Sequence, residues 1–146
     1  MSDKYLEVAN SSLGKRIFSA VGLPDPVSLT REDSTEPHKL NGQVLLGSSD
    51  GAAFAKSIAS FIDAAGVEVC SDSLEKNGHL VFDASGIVNA QQSEQLYQFF
   101  NRHIRTIAYS GRVIVIGHKP SSLDDVEHAA VQRGLLGFVK SVAKEI

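Results

Sequence analysis

Gln43-Val-Leu-Leu-Gly-Ser-Ser-Asp-Gly-Ala-Ala53 is a short apolar run that leads into a turn of glycine, serine and aspartate. The residues that follow, up to position 65, carry apolar side chains at positions 54, 58, 61 and 62, which is the period of a helix. Gly66 stands where such a helix would end. The pattern therefore predicts a strand, a tight turn and a helix.

The alternation of strand and helix continues to the end of the chain. Apolar runs predict strands over residues 67–70, 80–85 and 111–117, and helical spacing predicts helices over residues 93–109 and 123–146. Alternating strands and helices imply right-handed crossovers. We therefore expect an α/β fold with a flavodoxin-like or Rossmann-like parallel sheet and helices on both faces. In the strand order 2-1-3-4-5 the fifth strand would come after the last helix, so we expect the sheet to lack its last strand and the fourth strand to be an edge.

The first 40 residues differ in pattern from the rest of the sequence. Residues 12–22 have the spacing of an amphipathic helix. Its apolar face is expected to dock onto its own domain or a neighbouring subunit, because apolar side chains are costly to leave in water; the face consists of Leu13, Ile17, Phe18 and Val21. Prolines and then a polar, acidic stretch predict an extended arm and a linker over residues 23–40. The predicted domains are residues 1–40 and 41–146.

Composition limits the classes of partner. A net charge of −3 and a pI of about 5.9 exclude the broad positive field that nucleic-acid binding needs. No apolar run approaches the roughly 20 residues that span a bilayer, so a soluble, cytoplasmic protein without membrane contact is expected. Cys70 is the single cysteine and lies in a predicted strand, which favours a buried structural thiol over a reactive one.

The turn after the first strand is the candidate cofactor site. Exposed amides at a helix N-terminus attract phosphate, and Gly47, Ser48, Ser49 and Gly51 are the residues that would surround it. Asp50 opposes this interpretation because its carboxylate would repel phosphate. Two interpretations stay open: a tight structural turn, which we favour, or a residual nucleotide site, in which Asp72 could bond a ribose.

Residues 42–146 resemble the short-chain dehydrogenases. Gly47, Gly51 and Ala53 stand in the places of the three loop glycines of that family, and Leu80-Val-Phe-Asp-Ala-Ser-Gly-Ile87 stands where the family has its Asn-Asn-Ala-Gly turn. His128 and Gln132 occupy the places of the catalytic tyrosine and lysine, and the serine's place falls on Gly117 or His118. The resemblance thus implies the scaffold of this family with no catalytic residues.

A closer resemblance is to the N-terminal half of the high-molecular-weight 3-oxoacyl-acyl-carrier-protein reductases. It is carried by Ser11-Ser-Leu-Gly-Lys-Arg-Ile17, by Gly22-Leu-Pro-Asp-Pro26 and by Gly137-Phe-Val-Lys-Ser-Val-Ala-Lys-Glu-Ile146. In that family a degenerate flavodoxin-like domain precedes a catalytic domain that reduces a β-ketoacyl thioester with NADPH. The resemblance implies a non-catalytic chain that needs no cofactor of its own, has a structural, oligomerisation or regulatory role, and has the C-terminal catalytic domain and further copies as partners. The alternative is a small nucleotide- or flavin-binding module.

The histidines suggest no site of their own. His118 and His128 have no partnering carboxylate or nucleophile at a recognisable spacing, so they are interpreted as surface or helix-cap residues. His103 lies on the apolar face of its predicted helix and is expected to be a core residue that is hydrogen-bonded to a backbone carbonyl. No pair of histidines has ligand spacing with a third donor, so no metal site is predicted.

Overall fold

A computed structural model of the chain describes residues 4–22, 42–70 and 77–145. The arm and linker predicted for residues 23–40, and Asp72, lie outside these residues. The chain divides into two compact units, Met1–Pro37 and His38–Ile146, which are described separately below.

The first unit contains two short helices, α1 (Lys4–Asn10) and α2 (Ser12–Ala20). The amphipathic helix predicted from residue 12 is confirmed, whereas α1 was not predicted. Ser11 separates the two helices: its Oγ accepts a hydrogen bond from the Gly14 amide at 3.1 Å and donates one to the Val8 carbonyl at 2.6 Å. Gly14 is buried, and a Cβ there would collide with the carbonyl oxygens at the end of α1. This glycine therefore permits the tight turn between the helices.

The described residues of the second unit form a four-stranded parallel sheet and α-helices that pack on it. Its strands are β1 (Val44–Ser48), β2 (Val69–Cys70), β3 (Asn77–Asp83) and β4 (Ile107–Ile116), in the order β2-β1-β3-β4. Its helices are α3 (Ala55–Ala64), α4 (Ser93–His103) and α5 (Val126–Glu145), with 3-10 turns at Ile104–Thr106 and Pro120–Ser122. The α/β class and the parallel sheet are confirmed, and among the described residues β4 has a neighbour on one side only.

Alternation along the strands divides the core between the two faces of the sheet. One face carries Leu45, Leu80 and Phe82, and side chains of α4 and α5 cover it. The other face carries Val44 and Val81, and α3 covers it, through residues that include Ile58 and Ile62. Helices thus lie on both faces, as expected. Because α3 and α4 leave on opposite faces, β1 and β3 form the point at which the winding direction reverses.

The end of α4 and the start of β4 differ from the prediction. The sequence predicts a helix up to residue 109, but α4 ends at His103 and is followed by the 3-10 turn at Ile104–Thr106. Ile107 already pairs with Asn77 of β3. The next pair is His79 with Arg112, so β4 contains three extra residues, which form a bulge. Ser110 in this bulge has a φ of 62°. The helical period of the sequence includes Ile107 because an apolar side chain can pack against the core from a strand as well as from a helix.

The last helix begins three residues later than predicted, at Val126. The Asp125 carboxylate ends the preceding loop by accepting the His128 amide at 2.7 Å, which is the geometry of an N-cap. Gly134 and Gly137 lie inside α5, and a Cβ at either position would meet open space. No helix in the parts of the chain that are described has both the length and the apolarity to cross a membrane.

Candidate functional site

The candidate site lies where the loop after β1 meets the loop after β3. Parallel strands bring their carboxyl ends to one edge of the sheet, and β1 and β3 are neighbours there. A ligand in a fold of this class would occupy this edge, with its anionic group at the start of α3. Residues 49–54 and 83–87 are the two loops concerned.

The carboxylate of Asp83 occupies the position at the start of α3. Asp83 is fully buried, and its Oδ2 accepts the amide of Phe54 at 2.8 Å. Its Oδ1 accepts the amide of Ser85 at 3.0 Å. The Ser85 hydroxyl in turn accepts the amide of Ala53 at 2.7 Å. Amides that would face a pyrophosphate are therefore bonded to the protein's own side chains.

Ser49 is also hydrogen-bonded to other groups of the protein. The residue is buried, and its Oγ accepts the Gly86 amide at 3.1 Å and donates to the Asp83 carbonyl at 3.1 Å. Its amide also donates to the Asp83 carbonyl, at 2.9 Å, and its carbonyl accepts the Ala52 amide at 3.1 Å. The Asp50 amide donates to Oε1 of Gln95 at 2.7 Å. These bonds make the loop a closed turn fastened to β3 and α4.

The four predicted site residues are therefore brought together, but with different surroundings. Gly47 lies against the ring of Phe99, with which a Cβ would collide. Gly51 has a φ of +70°, a left-handed conformation that closes the turn. Ser48 is exposed at the end of β1, and Ser49 is buried as described above. Three of the four, Gly47, Ser49 and Gly51, thus have packing, hydrogen-bonding or turn roles within the fold.

Gly86 brings the two loops into direct backbone contact. A Cβ at this position would collide with the carbonyl oxygen of Asp50 and lie 2.8 Å from the amide nitrogen of Ala52. In the sequence resemblance described above, this glycine stands in the place of the glycine of the family's Asn-Asn-Ala-Gly turn. The close approach of the two loops leaves room only for a glycine at this position.

Gln132 is buried in the place that corresponds to the catalytic lysine of the family it resembles. Its Nε2 donates to the carbonyls of Ala84 at 2.8 Å and Ile87 at 2.9 Å. Its Oε1 accepts the amide of His118 at 2.7 Å. The side chain is 4% exposed. Gln132 thus joins α5 to the loops after β3 and β4, and its amide presents no free donor or proton-transfer group to a substrate.

His118 and His128 lie against one another near the start of α3. Their ring centroids are 5.6 Å apart with the rings nearly perpendicular, and the His118 ring is 5.1 Å from that of Phe54. Both residues are half-buried, and His128 lies in the first turn of α5. Nε2 of His128 is buried and has no hydrogen-bond partner. No group of three potential ligands for a metal ion occurs among residues 4–22, 42–70 and 77–145.

Sequence reasoning missed Asp83, Ser85 and Gln132 as the residues that organise this edge of the sheet. A signal for Asp83 was present, because an acid directly after the buried run Leu80-Val-Phe82 lies at the carboxyl end of a strand. The partner of that acid, the start of α3, could not be identified without the strand order. The sequence resemblance drew attention to Gln132, but nothing in the sequence indicated its burial, because a glutamine in a helix is ordinarily exposed.

No protein-family model matches the chain, and no curated protein sequence matches it either. The functional interpretation therefore rests on the geometry described above and on the sequence motifs.

Proposed function

We propose that this chain is a non-catalytic domain of a 3-oxoacyl-acyl-carrier-protein reductase of the short-chain dehydrogenase type, with a structural, oligomerisation or regulatory role. The observation that carries the proposal is Gln132. A catalytic lysine in this place would lower the pKa of a neighbouring tyrosine, whereas the Gln132 amide is bonded to three backbone groups. The chain keeps the scaffold around this position without the group that would make it active.

The closed loop after β1 also supports this proposal. A pyrophosphate at the start of α3 would have to displace the carboxylate of Asp83 and the hydroxyl of Ser85. A displaced carboxylate would remain nearby and repel the phosphate. In the proposed role the chain therefore uses no cofactor, and NADPH belongs to the catalytic domain of the parent reductase.

The partners in this proposal are that C-terminal catalytic domain and further copies of the chain. Two surfaces are suited to such contacts: the outer edge of β4, and the face of α2 on which Leu13, Ile17 and Val21 are each more than half exposed. An open strand edge and an apolar helix face are both features that proteins usually cover.

The direct test is a reductase assay with this chain alone. NADPH oxidation is followed with acetoacetyl thioester as the substrate, and no rate above the uncatalysed background is expected, because no proton donor stands in the tyrosine's place. An oxidation rate that His128→Phe abolishes would contradict the proposal, since it would make His128 a working acid.

The alternative function, a small nucleotide- or flavin-binding module, is favoured only by the strand-turn-helix context of the loop. Calorimetric titration with NADPH, NADH and FMN distinguishes it: the proposal predicts no heat of binding with millimolar ligand. Asp83→Asn is the informative variant because it removes the charge at the start of α3 and keeps the size of the side chain. Binding by the unaltered chain would favour the alternative, whereas binding by the variant alone would support occupation of the site by Asp83.

A further inference from the structure

We draw no further inference here: the strongest candidate, the apolar groove between α4 and α5 that is lined by Phe100, Phe138 and Val142, carries none because nothing in the structure shows what covers it.

Discussion

At the scale of single residues, Gln132 connects three segments of the chain through one amide. Gln132→Leu leaves the His118 amide and the carbonyls of Ala84 and Ile87 without their partners. A buried polar group without a partner costs about 1–3 kcal/mol. We therefore expect the free energy of unfolding to fall by about 3 kcal/mol in urea denaturation. Gln98→Leu, on the exposed face of α4, is the control and should change it by less than about 0.5 kcal/mol. Equal effects of both changes would show that the Gln132 bonds add nothing.

Cys70 provides a prediction about pH. The thiol is half-buried rather than fully buried as expected, and its burial, with a smaller contribution from the Glu68 carboxylate, raises its pKa. The folded state therefore holds this proton more tightly than the unfolded state, so the thiol contributes stability below its unfolded pKa, and this contribution is lost as the pH rises through the folded pKa. We expect the rate of alkylation by iodoacetamide to reach half its maximum at a higher pH than for a free cysteine. Glu68→Gln should lower that midpoint, and a midpoint at or below that of free cysteine would contradict the expectation.

At the scale of elements, α2 presents an unusual surface for a short helix. Leu13 and Ile17 are 69% and 53% exposed, and no hydrophobic core within residues 4–22 covers them. If this face docks onto a partner surface, as its pattern predicts, Leu13→Ser with Ile17→Ser should lower either the melting temperature or the associated fraction in light scattering. Lys15→Ser with Arg16→Ser, on the polar face, is the matched control. Unchanged values in the apolar double variant would make α2 a passive segment.

At the scale of the whole molecule, the outer edge of β4 is where we expect copies of the chain to associate. Its backbone groups face no strand among the described residues, and Ile114 is 42% exposed. We expect the apparent mass in sedimentation equilibrium to rise with concentration, and Ile114→Lys to suppress that rise, because a charge on an edge strand opposes pairing. Val88→Lys is the control, since Val88 is equally exposed and lies in the loop after β3. A chain that stays monomeric at high concentration would refute association through this edge.

The strand order and the covering of both faces were predictable because each depends on a local pattern. Apolar runs such as Leu80-Val-Phe82 indicate a sheet that is covered by helices, and the flavodoxin-like fold class then gives the strand order. What could not be predicted depends on contacts between distant residues. The bulge in β4 depends on its pairing with Asn77 and His79 of β3. The closed turn after β1 depends on Asp83, which accepts the amide of Phe54, 29 residues earlier in the chain.

Two glycines inside α5, Gly134 and Gly137, indicate that substitutions at these positions can stabilise the helix. Neither position faces a neighbour that a methyl group would disturb, and glycine inside a helix costs about 0.5–1 kcal/mol relative to alanine. Replacing both with alanine should therefore raise the melting temperature by several degrees. A rise without change of fold would mean that the heat resistance of this protein lies below what its own backbone allows, so a thermostable version for biotechnology needs no redesign of the core.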